Sequence, residues 1–373
     1  MTFDFIIIGG GMVGASLAYE LAKTRRVCLL EAEAQPGVHA TGRSAALFAP
    51  SYGGAEIRAI TRASEAFLTA PPPGFCEQPL LHRRGCMFIA RDDQTARLDQ
   101  MIRDVAATGG DLSPIPRQKV FDLVPRLRRD YVAAAAWDAY ARDIDVAELH
   151  QGFLRGARRA GATVVTDARI LAATWRGGHW SVPIPGGAVR APVIVNAAGA
   201  WADQVAMACG ARPLGLRPLR RTAMVVDAPN GDDVRGWPTV IDADEAFYFK
   251  PDAGLLLLSP ADETPDEPGD AQPDEMDIAV GVDRVQSALD IEVRRIRRSW
   301  AGLRTFAADR VPVVGYDPDL PQFFWSAGQG GYGIQTSPAL ARTAAALAQG
   351  RQPPADVVAQ GLEVSALSPA RFG

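Results

Sequence analysis

Cysteine and histidine are scarce in this 373-residue chain, with four of each. Cys28, Cys76, Cys86 and Cys209 are scattered and form no CxxC, and His39, His82, His150 and His179 show no ligand spacing. That pattern excludes a disulfide framework and gives no support for a metal site. Charge of one sign is not in excess either. With 39 Lys+Arg against 43 Asp+Glu the formal net charge is −4, so neither nucleic acid nor an anionic membrane surface has an electrostatic footprint here. Long hydrophobic runs are missing as well. Glycine or charge breaks every apolar run before the roughly 18 residues that a transmembrane helix needs. No basic segment precedes the first apolar run, so a signal peptide is not supported. These absences lead to the expectation of a cytoplasmic protein with no transmembrane segment.

What is present is apolar mass and glycine. Hydrophobic residues make up 47% of the chain and there are 36 glycines, enough for two domains with a sizeable core. Phe5-Ile6-Ile7-Ile8 reads as a short buried parallel strand. Gly9, Gly11 and Gly14 follow at once in the spacing G-x-G-x-x-G, and Gly14, Leu17, Ala18 and Leu21 then recur at helical spacing over 12–23. Val27 to Leu30 is a second strand, and Glu31 ends it about 20 residues after Gly11. Each part has a physical task. The glycines admit a pyrophosphate close to the backbone, the helix N-terminus offers free N–H groups, and Glu31 can accept hydrogen bonds from a ribose while repelling a 2′-phosphate. The unit predicts dinucleotide binding, disfavours NADP, and leaves FAD and NAD open.

Two later segments repeat the pattern of strand, small-residue turn and helix. Pro192 to Asn196 runs into Ala197-Ala198-Gly199-Ala200-Trp201, with a helix expected over 201–209. Phe323-Phe324-Trp325 runs into SAGQGGYGIQTSP (326–338), a second glycine-rich turn, and Ser337-Pro338 opens a helix that Gly350 closes. Between them, Thr222–Val226, Ala246–Lys250 and Leu255–Leu258 read as strands, the last two joined by a turn at 251–254. Residues 262–277 hold eight acids, three prolines and no basic residue, and read as a solvated loop. The fold class predicted is α/β (α+β overall). A discontinuous Rossmann-like domain (1–78, 146–212, 300–373) carries an inserted, mainly antiparallel sheet domain for substrate (79–145, 213–299).

The stretches ATGRSAA (40–46), SYGG (51–54), VNAAGAW (195–201), PLGLRPLRR (213–221), FYFKPDAG (247–254), WAGLR (300–304) and QGGYGIQTS (329–337) carry a resemblance that runs almost the whole chain in order. The sequence resembles the FAD-dependent D-amino acid oxidase and dehydrogenase superfamily, which also holds glycine and sarcosine oxidases. Within it the sequence is most similar to D-arginine dehydrogenase-type enzymes. The resemblance implies non-covalent FAD and oxidative deamination of a D-amino acid by hydride transfer to flavin N5. It places Glu31 on the adenosine ribose, Thr41, Arg43 and Ser44 along the cofactor, and Gly199 on its path. It puts Gly328, Gly330, Gly331, Gly333 and Ile334 beside the flavin ring. Backbone N–H groups there suit the negative charge that develops on the ring.

The same resemblance implies a substrate site. A carboxylate is best held by the two parallel donors of an arginine, and Arg304 and Arg221 match the carboxylate contacts. Tyr52 and Tyr248 match hydroxyl donors, Gly331 offers its carbonyl to the amine, and Gln335 shapes this end. Tyr52, beside Gly53-Gly54, suggests a mobile lid. In D-arginine dehydrogenase-type relatives the position of Cys86 is an acid that receives a guanidinium. Here Leu47, Ala49, Cys86 and Met87 predict an apolar pocket and a preference for neutral or hydrophobic D-amino acids over cationic ones. No general base is evident; water or a tyrosine hydroxyl could serve. A glycine or sarcosine-type amine oxidase and a non-catalytic flavoprotein stay open. The second glycine turn argues against an NAD-dependent dehydrogenase. The electron acceptor, oxygen or a quinone, is not encoded in any motif.

Overall fold

The computed structural model describes residues 1–373, the side chain of Asn230 excepted. A six-stranded sheet forms one layer. Its order is Val313–Tyr316, Phe323–Ala327, Val193–Asn196, Phe5–Ile8, Val27–Leu30, Thr163–Val165, and all but the first strand are parallel. Phe5–Ile8 and Val27–Leu30 are buried along their whole length, as a strand covered on both faces must be. Alternation sends Phe5 and Ile7 into the hydrophobic cluster on one face, and Ile6 and Ile8 into the cluster on the other.

Helix Met12–Ala22 covers one face, wedged against helix Val146–Arg159 and helix Ser337–Ala348. The helices approach closely because Gly156 faces Tyr19; a Cβ at 156 would lie 2.5 Å from that ring. The helix expected over 201–209 spans Ala202–Ala208. An antiparallel three-stranded sheet, Thr174–Arg176, His179–Ile184 and Gly187–Ala191, stands on the other face and buries Trp180. Sequence reasoning missed this sheet, because its strands are short and mostly exposed.

The second layer is a nine-stranded sheet, antiparallel except where Thr239–Asp242 lies along Cys86–Ala90. Its longest pairing joins Arg217–Val226 to Ile296–Phe306. The expected domain boundary at residue 300 falls inside the second of these strands. Strands Tyr248–Asp252 and Leu255–Ser259 form the expected hairpin. Ala253 and Gly254 both take positive φ (51° and 84°) in its two-residue turn, the backbone twist that joins such strands tightly. Among the described residues no helix is long and apolar enough to cross a membrane.

Candidate active site

One continuous cavity runs between the layers, from the N-terminus of helix Met12–Ala22 to the paired strands that carry Arg221 and Arg304. Its first end is the glycine turn. Gly9 has φ +104°, and a Cβ on Gly14 would sit 1.8 Å from the Gly9 carbonyl oxygen. Only glycine lets the turn and the helix meet so closely. Gly10 N–H donates to Glu31 Oε2 at 2.7 Å and Met12 N–H to Thr41 Oγ1 at 2.9 Å. Among the described residues the amides of Gly11 and Val13 donate to no protein acceptor, and both residues line the cavity. Two free amides at a helix N-terminus fit a pyrophosphate. His150 supports the turn from behind, its Nε2 2.8 Å from the Gly10 carbonyl oxygen, which makes that nitrogen the protonated one. Burial holds this imidazole below its usual pKa.

The predicted cofactor residues Glu31, Thr41, Arg43, Ser44 and Gly199 line the same cavity. Arg43 also ties segments together. It donates to the carbonyls of Val38 (3.2 Å), Ala271 and Ala301 (both 2.9 Å) and pairs with Asp270. Gly269 and Ala271 thereby form part of the cavity wall. The segment 262–277 is largely an exposed loop, as expected, but Ala271 is buried, part of the loop is tied to the cavity wall, and a helix begins at Glu275. Five of the eight acids of that segment, Asp262, Glu263, Asp266, Asp270 and Asp277, pair with Arg43, Arg220, Arg221 or Arg310.

The second glycine turn lies at the far end. Gly330, Gly331, Gly333 and Ile334 line the cavity; Gly328 does not, and packs behind them against Ala307 and Val313. Gly330 N–H donates to the Thr305 carbonyl. Among the described residues, Gly331, Gly333 and Ile334 give their N–H to no protein acceptor. The helix itself starts only at Ser337, so these amides belong to the turn that leads into it.

Arg221 and Arg304 stand on one face of the antiparallel pair, Arg221 opposite Gly302 and Arg304 two residues further on. They are not equivalent. Arg221 is 8% exposed; its Nε donates to the Asp262 carbonyl at 2.8 Å and its Nη2 to Glu263 at 3.2 Å. Burial, then the nearby Arg304, pull its pKa down. Arg304 meets no carboxylate among the described residues. Burial lowers its pKa, but the hydroxyls of Tyr248, Tyr52 and Tyr332 outweigh that and the net shift is upward. A guanidinium so placed is a ready partner for an anion.

Tyr52 donates to Glu245 Oε2 at 2.8 Å and meets the Tyr332 ring at a centroid distance of 5.3 Å. Burial first, and Glu245 next, push its pKa well above the usual tyrosine value. Its hydroxyl therefore donates and does not act as a base near neutrality. Its segment is held at several points. Ser51 N–H and Oγ donate to buried Asp138 (3.3 and 2.5 Å), and Ala49 N–H donates to Gln335 Oε1 at 3.0 Å. Gln335 thus acts on the site through the backbone of Ala49. Leu47, Ala49 and Cys86 gather with Tyr52 and Tyr248 in one apolar cluster. Met87 does not. It is the next residue on the same strand, so its side chain faces the opposite core with Val240 and Phe249, which corrects its assignment to the pocket. Glu245, Glu263, Arg310 and Tyr332 were missed by sequence reasoning; only Tyr332, inside the second glycine turn, had a signal.

The chain belongs to the FAD dependent oxidoreductase (DAO) family, whose model matches residues 4–347. It is 26% identical over 360 residues to the glycine oxidase of Geobacillus kaustophilus (strain HTA426), covering 90% of both chains. To the mitochondrial dimethylglycine dehydrogenase of Homo sapiens it is 28% identical over 265 residues. That match takes in 69% of this chain and spans only 30% of the longer protein. The crystal structure of the Geobacillus kaustophilus glycine oxidase superposes with a TM-score of 0.85 over 99% of both chains at 21% identity. That of L-proline dehydrogenase from P. horikoshii gives 0.82, over 99% of this chain and 97% of that one, also at 21% identity. The fold expected from sequence is the fold of this family, and FAD is its cofactor. The relatives support the superfamily, and within it glycine oxidase and dimethylglycine dehydrogenase, not D-arginine dehydrogenase-type enzymes specifically.

Proposed function

We propose that this protein oxidises the amine of a small α-amino acid, with glycine or an N-alkylglycine as the best-supported substrate. The observation that carries the reading is Arg304, a half-buried guanidinium that lines the end of the cavity beside Tyr248 without a carboxylate partner among the described residues. When bound, FAD supplies the two-electron acceptor. The protein's own part is positional. Arg304 holds the substrate carboxylate through two parallel donors, and Tyr248 offers a hydroxyl beside it, while the Tyr52 hydroxyl is engaged by Glu245. The Gly331 carbonyl orients the amine. The free amides of Gly333 and Ile334 stabilise charge that develops on the ring. Among the described residues no carboxylate or imidazole lines this end of the cavity, which leaves water to take the amine proton.

A second reading, oxidation of neutral D-amino acids, draws on the apolar cluster of Leu47, Ala49 and Cys86. Burial and the neighbouring Asp138 keep the Cys86 thiol protonated, and it is fully buried outside the cavity lining, so it is not a nucleophile. Anaerobic mixing with glycine, sarcosine, dimethylglycine and a series of D- and L-amino acids, followed by flavin absorbance, tests both readings. Fastest bleaching by glycine or sarcosine supports the first. Fastest bleaching by D-Leu or D-Met shifts the assignment to the second, and bleaching by none overturns both. Admitting air or a quinone afterwards identifies the acceptor.

A further inference from the structure

The arginine end of the cavity holds more charge than one carboxylate ligand explains. Arg221 and Arg304 line it; beside them, outside the lining and closer to solvent, stand a third cation, Arg310, and two carboxylates, Glu245 and Glu263. Glu263 is the shared element. Its Oε1 accepts from Arg310 Nη2 at 2.7 Å and from Arg221 Nη2 at 3.2 Å, and its Oε2 accepts from Arg310 Nη1 at 2.9 Å. Burial alone would raise its pKa. Arg310, Arg221 and Arg304 together outweigh burial and hold it below the usual range, so it stays ionised.

Glu263 is placed there by a built turn. Asp262, the residue before it, accepts from Thr222 N–H at 2.6 Å and from Thr222 Oγ1 at 3.0 Å, and gives its own carbonyl to Arg221 Nε. Ala261 holds a positive φ of 52°, and its N–H donates to the Ser259 hydroxyl, which in turn donates to the Thr222 carbonyl at 2.6 Å. A left-handed alanine is a strained residue. The turn holds it, and two residues on the Glu263 carboxylate meets Arg221.

We infer that Glu263 is a specificity-determining residue: shared between Arg310 and Arg221, it offsets part of the charge of Arg221 and disfavours substrates with a second carboxylate. This deepens the amino-acid reading above and rests on it. The one carboxylate goes to Arg304. A second carboxylate on the substrate would meet an arginine already engaged at Nε and Nη2, with an ionised acid beside it. Rejection by like charge is as effective a source of selectivity as attraction.

The test uses binding, not turnover. The holoprotein is titrated with acetate and with malonate, and the dissociation constants are read from the perturbed flavin spectrum. The wild type is expected to favour acetate. In Glu263→Gln the carbonyl oxygen still accepts from the arginines but the charge is gone. Malonate binding should then tighten about tenfold or more relative to acetate. Glu263→Asp keeps the charge and should keep the wild-type ratio. Arg310→Gln leaves Glu263 leaning on Arg221 alone and should move the ratio the other way, by about threefold. An acetate-to-malonate ratio unmoved by Glu263→Gln or Arg310→Gln overturns the inference, as does a site that binds neither anion. Failure of every amine to bleach the flavin would sink the amine-oxidation reading while leaving this titration readable.

Discussion

The two glycine turns look alike in sequence and are built for different reasons. In the first, glycine is demanded by backbone meeting backbone: a Cβ on Gly14 would strike the Gly9 carbonyl, and one on Gly9 would lie 2.4 Å from the Ala197 carbonyl oxygen. In the second, glycine is demanded by side chains. A Cβ on Gly330 would lie 2.1 Å from the Phe306 ring, and one on Gly331 2.8 Å from Arg304 Nη1. The first turn leads straight into its helix at Met12, while the second runs several residues before its helix starts at Ser337. One turn frees its amides for a phosphate. The other frees amides too, and also clears the space in which the Arg304 guanidinium lies. Equal glycine content therefore says little about what a turn holds; what a Cβ would hit says more.

Four changes would break or sharpen that contrast. Gly14→Ala should have the largest effect, because neither backbone segment can yield. We expect loss of bound flavin and destabilisation of about 3 kcal/mol or more, read from flavin per chain and thermal melts. Arg304→Met should leave flavin in place and lower kcat/KM for the amine substrate about 100-fold or more, read by anaerobic flavin reduction. Gly331→Ala carries the same chemical change as the first variant but into the second turn, where only the mobile end of Arg304 must shift. It should retain flavin and raise KM about tenfold; loss of flavin there would erase the distinction between the turns.

The smallest effect concerns His150 behind the first turn. Burial lowers its pKa in the folded protein from the usual value of 6.5. The unfolded chain therefore binds the extra proton first. The stability that neutral His150 contributes is full above pH 6.5 and is lost as pH falls below it. Melting temperatures between pH 5 and 7 should rise with pH in the wild type, and the slope should flatten in His150→Asn.

The elements legible in the sequence are those whose cause is local. The strand, turn and helix at 5–22 follow from β-branched residues, glycine spacing and helical periodicity within one short segment. The hairpin at 248–259 follows from its turn. What was not legible depends on partners far along the chain. Acids 262–277 carry no local sign that Arg43, Arg220, Arg221 and Arg310 will meet them. Met87 was placed beside Cys86 because they adjoin in sequence, yet on a strand adjacent residues face opposite ways. Gln335 was read as shaping the substrate end, and nothing local showed that its carbonyl oxygen would be taken by Ala49 N–H.

The Arg43 fork has a consequence for assembly. By holding Ala271 and Asp270 against Val38 and Ala301, it roofs the trough in which the cofactor family places FAD. A roof made from the chain's own residues has to be raised for the cofactor to enter and again for it to leave. We expect flavin exchange to depend on the opening of residues 269–271 as well as on the phosphate contacts. Arg43→Ala would show this as faster exchange of bound flavin for free flavin, with the first glycine turn unchanged.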